Sequence, residues 1–85
     1  MSARAAVTLR YWAAARAATG VAEESCQAAT VAEALDEAGR RHGDRLLRVL
    51  PGCAVLVGSV RAHPHTVLHD GDVVELLPPF AGGSA

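Results

Sequence analysis

Eighty-five residues make one domain, and at that size only about 60% of the unfolded surface is buried on folding, which leaves a small core and little room for the convergent polar pocket of an independent enzyme. Net charge is −1 and the basic residues are scattered, which argues against nucleic acid as the main partner, because such binding needs a basic face. No run approaches the ~18 apolar residues of a membrane span.

All eight basic residues are arginine. No side-chain amine is therefore available for the chain to be acylated by its own kind. The N-terminus has no secretory apolar region, because Arg4, Arg10 and Arg16 interrupt it. Residues 1–20 are arginine-bearing and free of acids, which also fits an organellar transit segment, but the same residues read well as a first strand. Within them, Val7, Leu9 and Tyr11 fall on one face, and Thr8 and Arg10 on the other, as in a half-buried strand. Ala13 to Thr19 is alanine-rich and closed by Gly20, so a helical turn or a wide hairpin loop is expected. Val21 to Ala28 reads as a second strand with Ala22, Cys26 and Ala28 inward. Glu24 spoils its pattern.

Thr30-Val31-Ala32-Glu33 is a capping box, in which Thr30 accepts from the Glu33 amide and Glu33 reaches back to the Thr30 amide. Val31, Ala34, Leu35 and Ala38 then form one apolar helical stripe. Acids sit early and Arg40 and Arg41 late, as the helix dipole prefers, and Gly43 is placed to end the helix. Asp44 to Leu50 predicts a short second helix or turn with Leu46, Leu47 and Leu50 inward, broken by Pro51-Gly52. Cys53 to Val57 is nearly all apolar, which predicts a central strand covered on both faces or flanked by neighbours. Gly58-Ser59 predicts a tight turn, Val60 to Ala62 a brief edge strand, and Asp70-Gly71-Asp72 a turn into a last strand through Leu77. The sum is an α+β roll, one helix on one sheet.

The end of the chain carries the most specific signal. Pro78 and Pro79 end the last strand, since proline donates no backbone hydrogen bond and fixes φ. Phe80 follows, then Ala81, Gly82 and Gly83, then Ser84 and Ala85. Extended, Pro78 to Gly83 reaches about 20 Å at ~3.3 Å per residue. A glycine pair has no side chain to block a narrow channel. The shape suits a probe that carries a backbone carboxyl group into another protein. A frayed terminus is the plainer alternative. Residues 1–77 are thus expected to fold, and residues 78–85 to form a flexible tail.

Other constellations are weaker. His63, His65 and His69 have spacings open to zinc, but no carboxylate or cysteine completes a set except Asp70 or Asp72, and loop histidines are the preferred reading, with no metal site. Asp70 and Asp72 are better explained by turn chemistry than as a catalytic pair with Glu75. Ser59 has no triad partners placed by sequence. Cys26 and Cys53 read as small buried hydrophobes of a reducing, cytoplasmic compartment, not as a disulfide or nucleophile.

Asp70-Gly71-Asp72-Val73-Val74-Glu75-Leu76-Leu77-Pro78-Pro79 with Phe80-Ala81-Gly82-Gly83 resembles the ubiquitin-like sulfur carriers, most closely the small subunit of molybdopterin synthase. Leu9 to Arg16 resembles that family's first strand and the aromatic-Ala segment after it. The resemblance implies a ubiquitin-like β-grasp roll, a mixed four- to five-stranded sheet on one main helix. It implies a carrier, not an enzyme by itself. An E1-like adenylyltransferase would activate Gly83 with ATP and magnesium, and a sulfur nucleophile would convert it to a thiocarboxylate. The carrier itself would bind no cofactor. Its second partner would be the molybdopterin synthase large subunit or another sulfur-accepting enzyme, with Pro78, Pro79, Phe80, Ala81 and Gly82 as the tail that the partners grip.

Two departures stand out. Family members usually stop at the second glycine, so Ser84 and Ala85 should block activation until a protease removes them. Ala17 stands where an acid often follows the first-loop arginine. For recognition, Phe80 and the apolar sheet face behind Leu77 are the candidates, with Phe80 folding back over the core as the equal alternative and Leu77 read as core more than contact. Arg10, Arg16 and Arg61 are candidates to meet an acidic partner surface. Alternatives are a carrier for cysteine or thiazole synthesis, a protein modifier joined through Gly83 to lysines of other proteins, and an interaction module with an inert tail.

Overall fold

The computed structural model describes residues 4–79. Strand β1 (Ala5–Tyr11) leads to helix α1 (Ala13–Thr19), strand β2 (Glu23–Ala28), helix α2 (Val31–His42) and helix α3 (Asp44–Val49). A 3₁₀ turn (Leu50–Gly52) then leads to β3 (Ala54–Val57), β4 (Val60–Arg61) and β5 (Val73–Leu77). The sheet order is β2-β1-β5-β3-β4. Only the β1–β5 pair is parallel; β1–β2, β5–β3 and β3–β4 are antiparallel. This is the β-grasp arrangement: the first and last strands lie side by side at the centre, and the main helix packs across one face.

The alternating pattern of β1 sets that packing. Val7, Leu9 and Tyr11 are buried toward the helix, joined by Val74 and Leu76 of β5 and by Val31, Ala34 and Ala38 of α2. Thr30 caps α2 by accepting from the Glu33 amide at 3.3 Å. The Glu33 carboxylate accepts from the Ala29 amide at 2.8 Å, one residue before the expected Thr30. The first two α2 amides, Val31 and Ala32, donate to the carbonyls of Thr66 and Pro64, so the long loop before β5 is tied to the helix N-terminus. Ala13 to Thr19 is a full helix, closed by Gly20 in the left-handed region at φ 79°.

Gly58 and Ser59 both have positive φ, 60° and 68°, which matches the twist of a two-residue hairpin. Asp70 Oδ1 accepts from the Ala6 amide at 2.8 Å, Gly71 N–H donates to Ala6 O at 2.9 Å, and Thr8 N–H donates to Asp72 O at 3.0 Å. The Asp-Gly-Asp turn therefore fastens the start of β5 to β1 and fixes the parallel register.

Two expectations are corrected. Leu47 is not inward: it is 49% exposed, because α3 turns only Leu46 fully into the core. Ala22 is exposed and β2 begins at Glu23. The strand Ala54–Val57 takes the second of its two expected forms: it is flanked by β5 and β4, and all four residues are half-buried.

Candidate functional site

The tail leaves from β5, which is hydrogen-bonded on both sides, to β1 and to β3. The ladder runs to its very end. Trp12 N–H donates to Leu76 O at 3.2 Å, and Leu77 pairs with Ala54. Pro78 is buried and Pro79 exposed, so the chain is held one residue past the strand and then released to the surface. Of the expected tail residues, Pro78 and Pro79 are therefore placed. Phe80, Ala81, Gly82 and Gly83 lie outside the described residues, as do Ser84 and Ala85.

The face of the sheet opposite the helices holds what surrounds that exit. Strand register puts Glu23, Arg10, Glu75, Leu56 and Arg61 in one row across five strands. Arg10 Nε lies 3.7 Å from Glu23 Oε2, and Arg10 Nη1 lies 3.7 Å from Glu75 Oε2. Trp12 Nε1 donates to Glu75 Oε2 at 3.1 Å. Glu75 thus orients two side chains, and Trp12 is held 44% exposed. Exposed ion pairs of this length contribute little stability, on the order of 0–1 kcal/mol; their effect is to fix orientation. Val73, Leu77, Ala54 and Leu56 make the apolar part of this face, each half-buried. Leu77 belongs here and not to the core, since alternation along β5 turns Val74 and Leu76 inward and Leu77 outward. Arg10 and Arg61 lie in the row; Arg16 is on α1 and does not.

One group on the helix side escaped the sequence reading. Glu24 shares the inward parity of Cys26 and Ala28, and its carboxylate is held by three donors. The Tyr11 hydroxyl donates to Oε2 at 2.6 Å, His42 Nε2 reaches the same oxygen at 2.6 Å, and Arg41 Nη1 lies 3.7 Å from Oε1. Burial pushes the Glu24 carboxyl up, but the hydrogen bonds from Tyr11 and His42 and the charges around it outweigh that and hold it below the ordinary value. Burial and the Glu24 hydrogen bond push the Tyr11 phenol well above its ordinary range. The signal was present in the irregular acid itself: an inward carboxylate in a strand demands donors, and a tyrosine on the neighbouring strand supplies one.

The other candidates find structural roles. Asp72 Oδ2 accepts from the His69 amide at 2.8 Å, as turn chemistry requires. Cys26 and Cys53 are free thiols, and burial pushes both above the ordinary value, away from the reactive thiolate. Among the described residues no group of three or more His, Cys, Asp or Glu side chains is arranged to hold a metal ion, and no helix is long and apolar enough to cross a membrane.

Comparison with solved structures places this geometry. A putative molybdopterin converting factor subunit 1 from Pyrococcus furiosus superposes with a TM-score of 0.79 at 26% identity, covering 88% of this chain and 98% of that one. A complex of subunits 1 and 2 of the molybdopterin-converting factor from Helicobacter pylori matches with a TM-score of 0.67 at 25% identity, covering 87% and 93%. SAMP1 from Haloferax volcanii has the same fold, with a TM-score of 0.82 at 24% identity over 92% and 99%. No curated protein matches. The sequence matches the ThiS family over residues 9–83, from the first strand through the second tail glycine, and the chain belongs to that family.

Proposed function

We propose that the protein is a sulfur carrier whose Gly83 is the acyl group that moves. Ser84 and Ala85 are first removed, which frees the Gly83 carboxylate. An E1-like adenylyltransferase, using ATP and magnesium, joins that carboxylate to AMP with loss of pyrophosphate. A persulfide sulfur attacks the acyl carbon and AMP leaves; a thiol of the partner then attacks the resulting acyl disulfide, which releases the thiocarboxylate and leaves the partner as a disulfide, whereas free sulfide displaces AMP to the thiocarboxylate in one step. Two easier steps replace one hard displacement at a poor electrophile. The thiocarboxylate then enters a second enzyme, the large subunit of a molybdopterin synthase. The protein's own contribution is positioning, and the phosphate and sulfur chemistry belongs to its partners.

The observation that carries this reading is the strand from which the tail departs. β5 is central, paired on both sides, and ends at a buried Pro78 and an exposed Pro79. A rigid base and a thin lead are what deliver a terminal group into a deep channel. The family match that runs to Gly83 supports the same end point. The Helicobacter pylori assembly, a complex of the converting factor's subunits 1 and 2, supports a large-subunit partner. The open face with Trp12, Leu56, Val73 and Leu77 is the surface on which such a partner would rest.

Reconstitution tests it. The chain ending at Gly83, incubated with an E1-like enzyme, ATP, magnesium and sulfide, should form a thiocarboxylate, and the chain ending at Gly82 should not. Transfer to a molybdopterin precursor should then require the large subunit. Isopeptide-linked ladders on other proteins, lost in the chain ending at Gly82, would instead assign the modifier role.

A further inference from the structure

β2 (Glu23–Ala28) is an edge strand of the sheet. Register shows which of its backbone groups face outward. Tyr11 N–H donates to Ala22 O, whereas Thr8 N–H donates away from β2, to Asp72 O. Thr8 pairs with Ser25, and bonding alternates along an antiparallel pair. Glu23, Ser25 and Gln27 therefore turn their amides and carbonyls to the open side. Past Ala28 the edge is closed: Leu68 N–H donates to Ala29 O, and Thr30 bridges to Val67. The opposite edge, β4, is two residues long. An unpaired edge as long as β2 is a template for another strand.

Among the described residues one side chain closes it. Arg41, on α2, donates from Nη1 to Ser25 O at 2.7 Å. Its guanidinium is braced by Glu37, which accepts from Nε at 3.0 Å, and Glu24 Oε1 lies 3.7 Å from Nη1. An added strand would run about 4.8 Å from β2 and bring its own amide nitrogen to about 2.9 Å from Ser25 O. Arg41 already holds that position.

We propose that Arg41 guards the β2 edge and keeps the chain monomeric, and that its withdrawal lets β2 pair antiparallel with β2 of a second copy. The occupant is argued from the strand's self-complementarity. Centred on Ser25, a two-fold pairing exchanges both Ser25 hydrogen bonds. It sets Glu23 opposite Gln27 on the outer face and Glu24 opposite Cys26 on the inner, with no like charges opposed. Centred on Glu24, the pairing would set two carboxylates face to face. Centred on Cys26, it would need the Ala29 amide and carbonyl, which Glu33 and Leu68 already hold. The edge is separate from the open face and the tail, so the inference stands apart from the carrier reading.

Sedimentation of the full chain with amide exchange tests this. Wild type should sediment as a monomer at every concentration, with the Ser25 and Gln27 amides in fast exchange. Arg41→Met, which keeps the apolar stem, should approach twice the monomer mass as concentration rises and should protect those two amides. Adding Gln27→Glu, which places a carboxylate opposite Glu23 in both pairs, should weaken the dimer about tenfold. Glu37→Gln, at a partly exposed position, frees Arg41 on one side and should shift the mass the same way by less. Folded Arg41→Met and Glu37→Gln variants that both stay monomeric would overturn the proposal. So would a wild type already paired through β2, a dimer that leaves the Ser25 and Gln27 amides in fast exchange, or a dimer indifferent to Gln27→Glu.

Discussion

Tyr11 and Glu24, on neighbouring strands, are joined by a 2.6 Å hydrogen bond from the phenol to the carboxylate. Tyr11 is 1% exposed, and His42 packs edge-on against its ring at 5.7 Å between centroids. The bond ties β1 to β2, and His42, which reaches the same Glu24 oxygen, ties both to the end of α2. Tyr11→Phe keeps the ring and removes the donor. We expect a loss of about 2 kcal/mol, as for a hydrogen bond to a charged group. A urea titration should show a lower midpoint with an unchanged slope.

Glu24 also sets a pH dependence. Its folded-state pKa lies below the unfolded value, so the unfolded chain binds the proton more readily. The stabilisation is complete above the ordinary carboxylate range and is lost as pH falls through the folded value. Unfolding measured from about pH 7 down to about pH 3 should show stability falling with acid, and Glu24→Gln should make that fall shallower.

Leu46 and Leu47 are adjacent but unlike. Leu46 is fully buried and Leu47 half exposed. Leu46→Ala should cost about 3 kcal/mol, the transfer and cavity terms together. Leu47→Ala should cost about 0.5 kcal/mol or less. Thermal unfolding of the two variants checks the contrast.

Gly39 sits inside α2, where glycine is costlier than alanine by about 1 kcal/mol. The added methyl meets only the far end of Leu47, a side chain free to swing outward. Gly39→Ala should therefore stabilise the protein by about 0.5 kcal/mol, read as a higher midpoint in urea.

Local chemistry was legible in the sequence wherever neighbours along the chain decide the structure. Thr30 with Glu33, Gly58-Ser59 and Asp70-Gly71-Asp72 each carry their own geometry, and each forms its cap or turn where expected, with the Glu33 carboxylate on the Ala29 amide in place of the Thr30 amide. The pairing of β1 with β5 is different. It joins Thr8 to Val73 across most of the chain, and only resemblance to a family suggested it. Leu47 and Leu77 were misplaced because an apolar residue at a core-like spacing does not reveal whether a layer covers it. Glu24 looked like a fault in a strand because its donors, Tyr11, Arg41 and His42, come from two other elements. Of the tail, the strand stop at Pro78 and Pro79 was legible, since proline acts through the backbone alone, and Phe80 to Gly83 lie outside the described residues. The Trp12–Glu75–Arg10 arrangement beside it was not, because it depends on strand order.

The most direct test of the carrier role is the intact mass of the protein purified from its own host. The account predicts a species lacking Ser84 and Ala85, with one oxygen exchanged for sulfur and open to alkylation at that sulfur. A uniform full-length mass from the host, together with an unchanged mass when the Gly83-ended chain is incubated with an E1-like enzyme, ATP and sulfide, would contradict it.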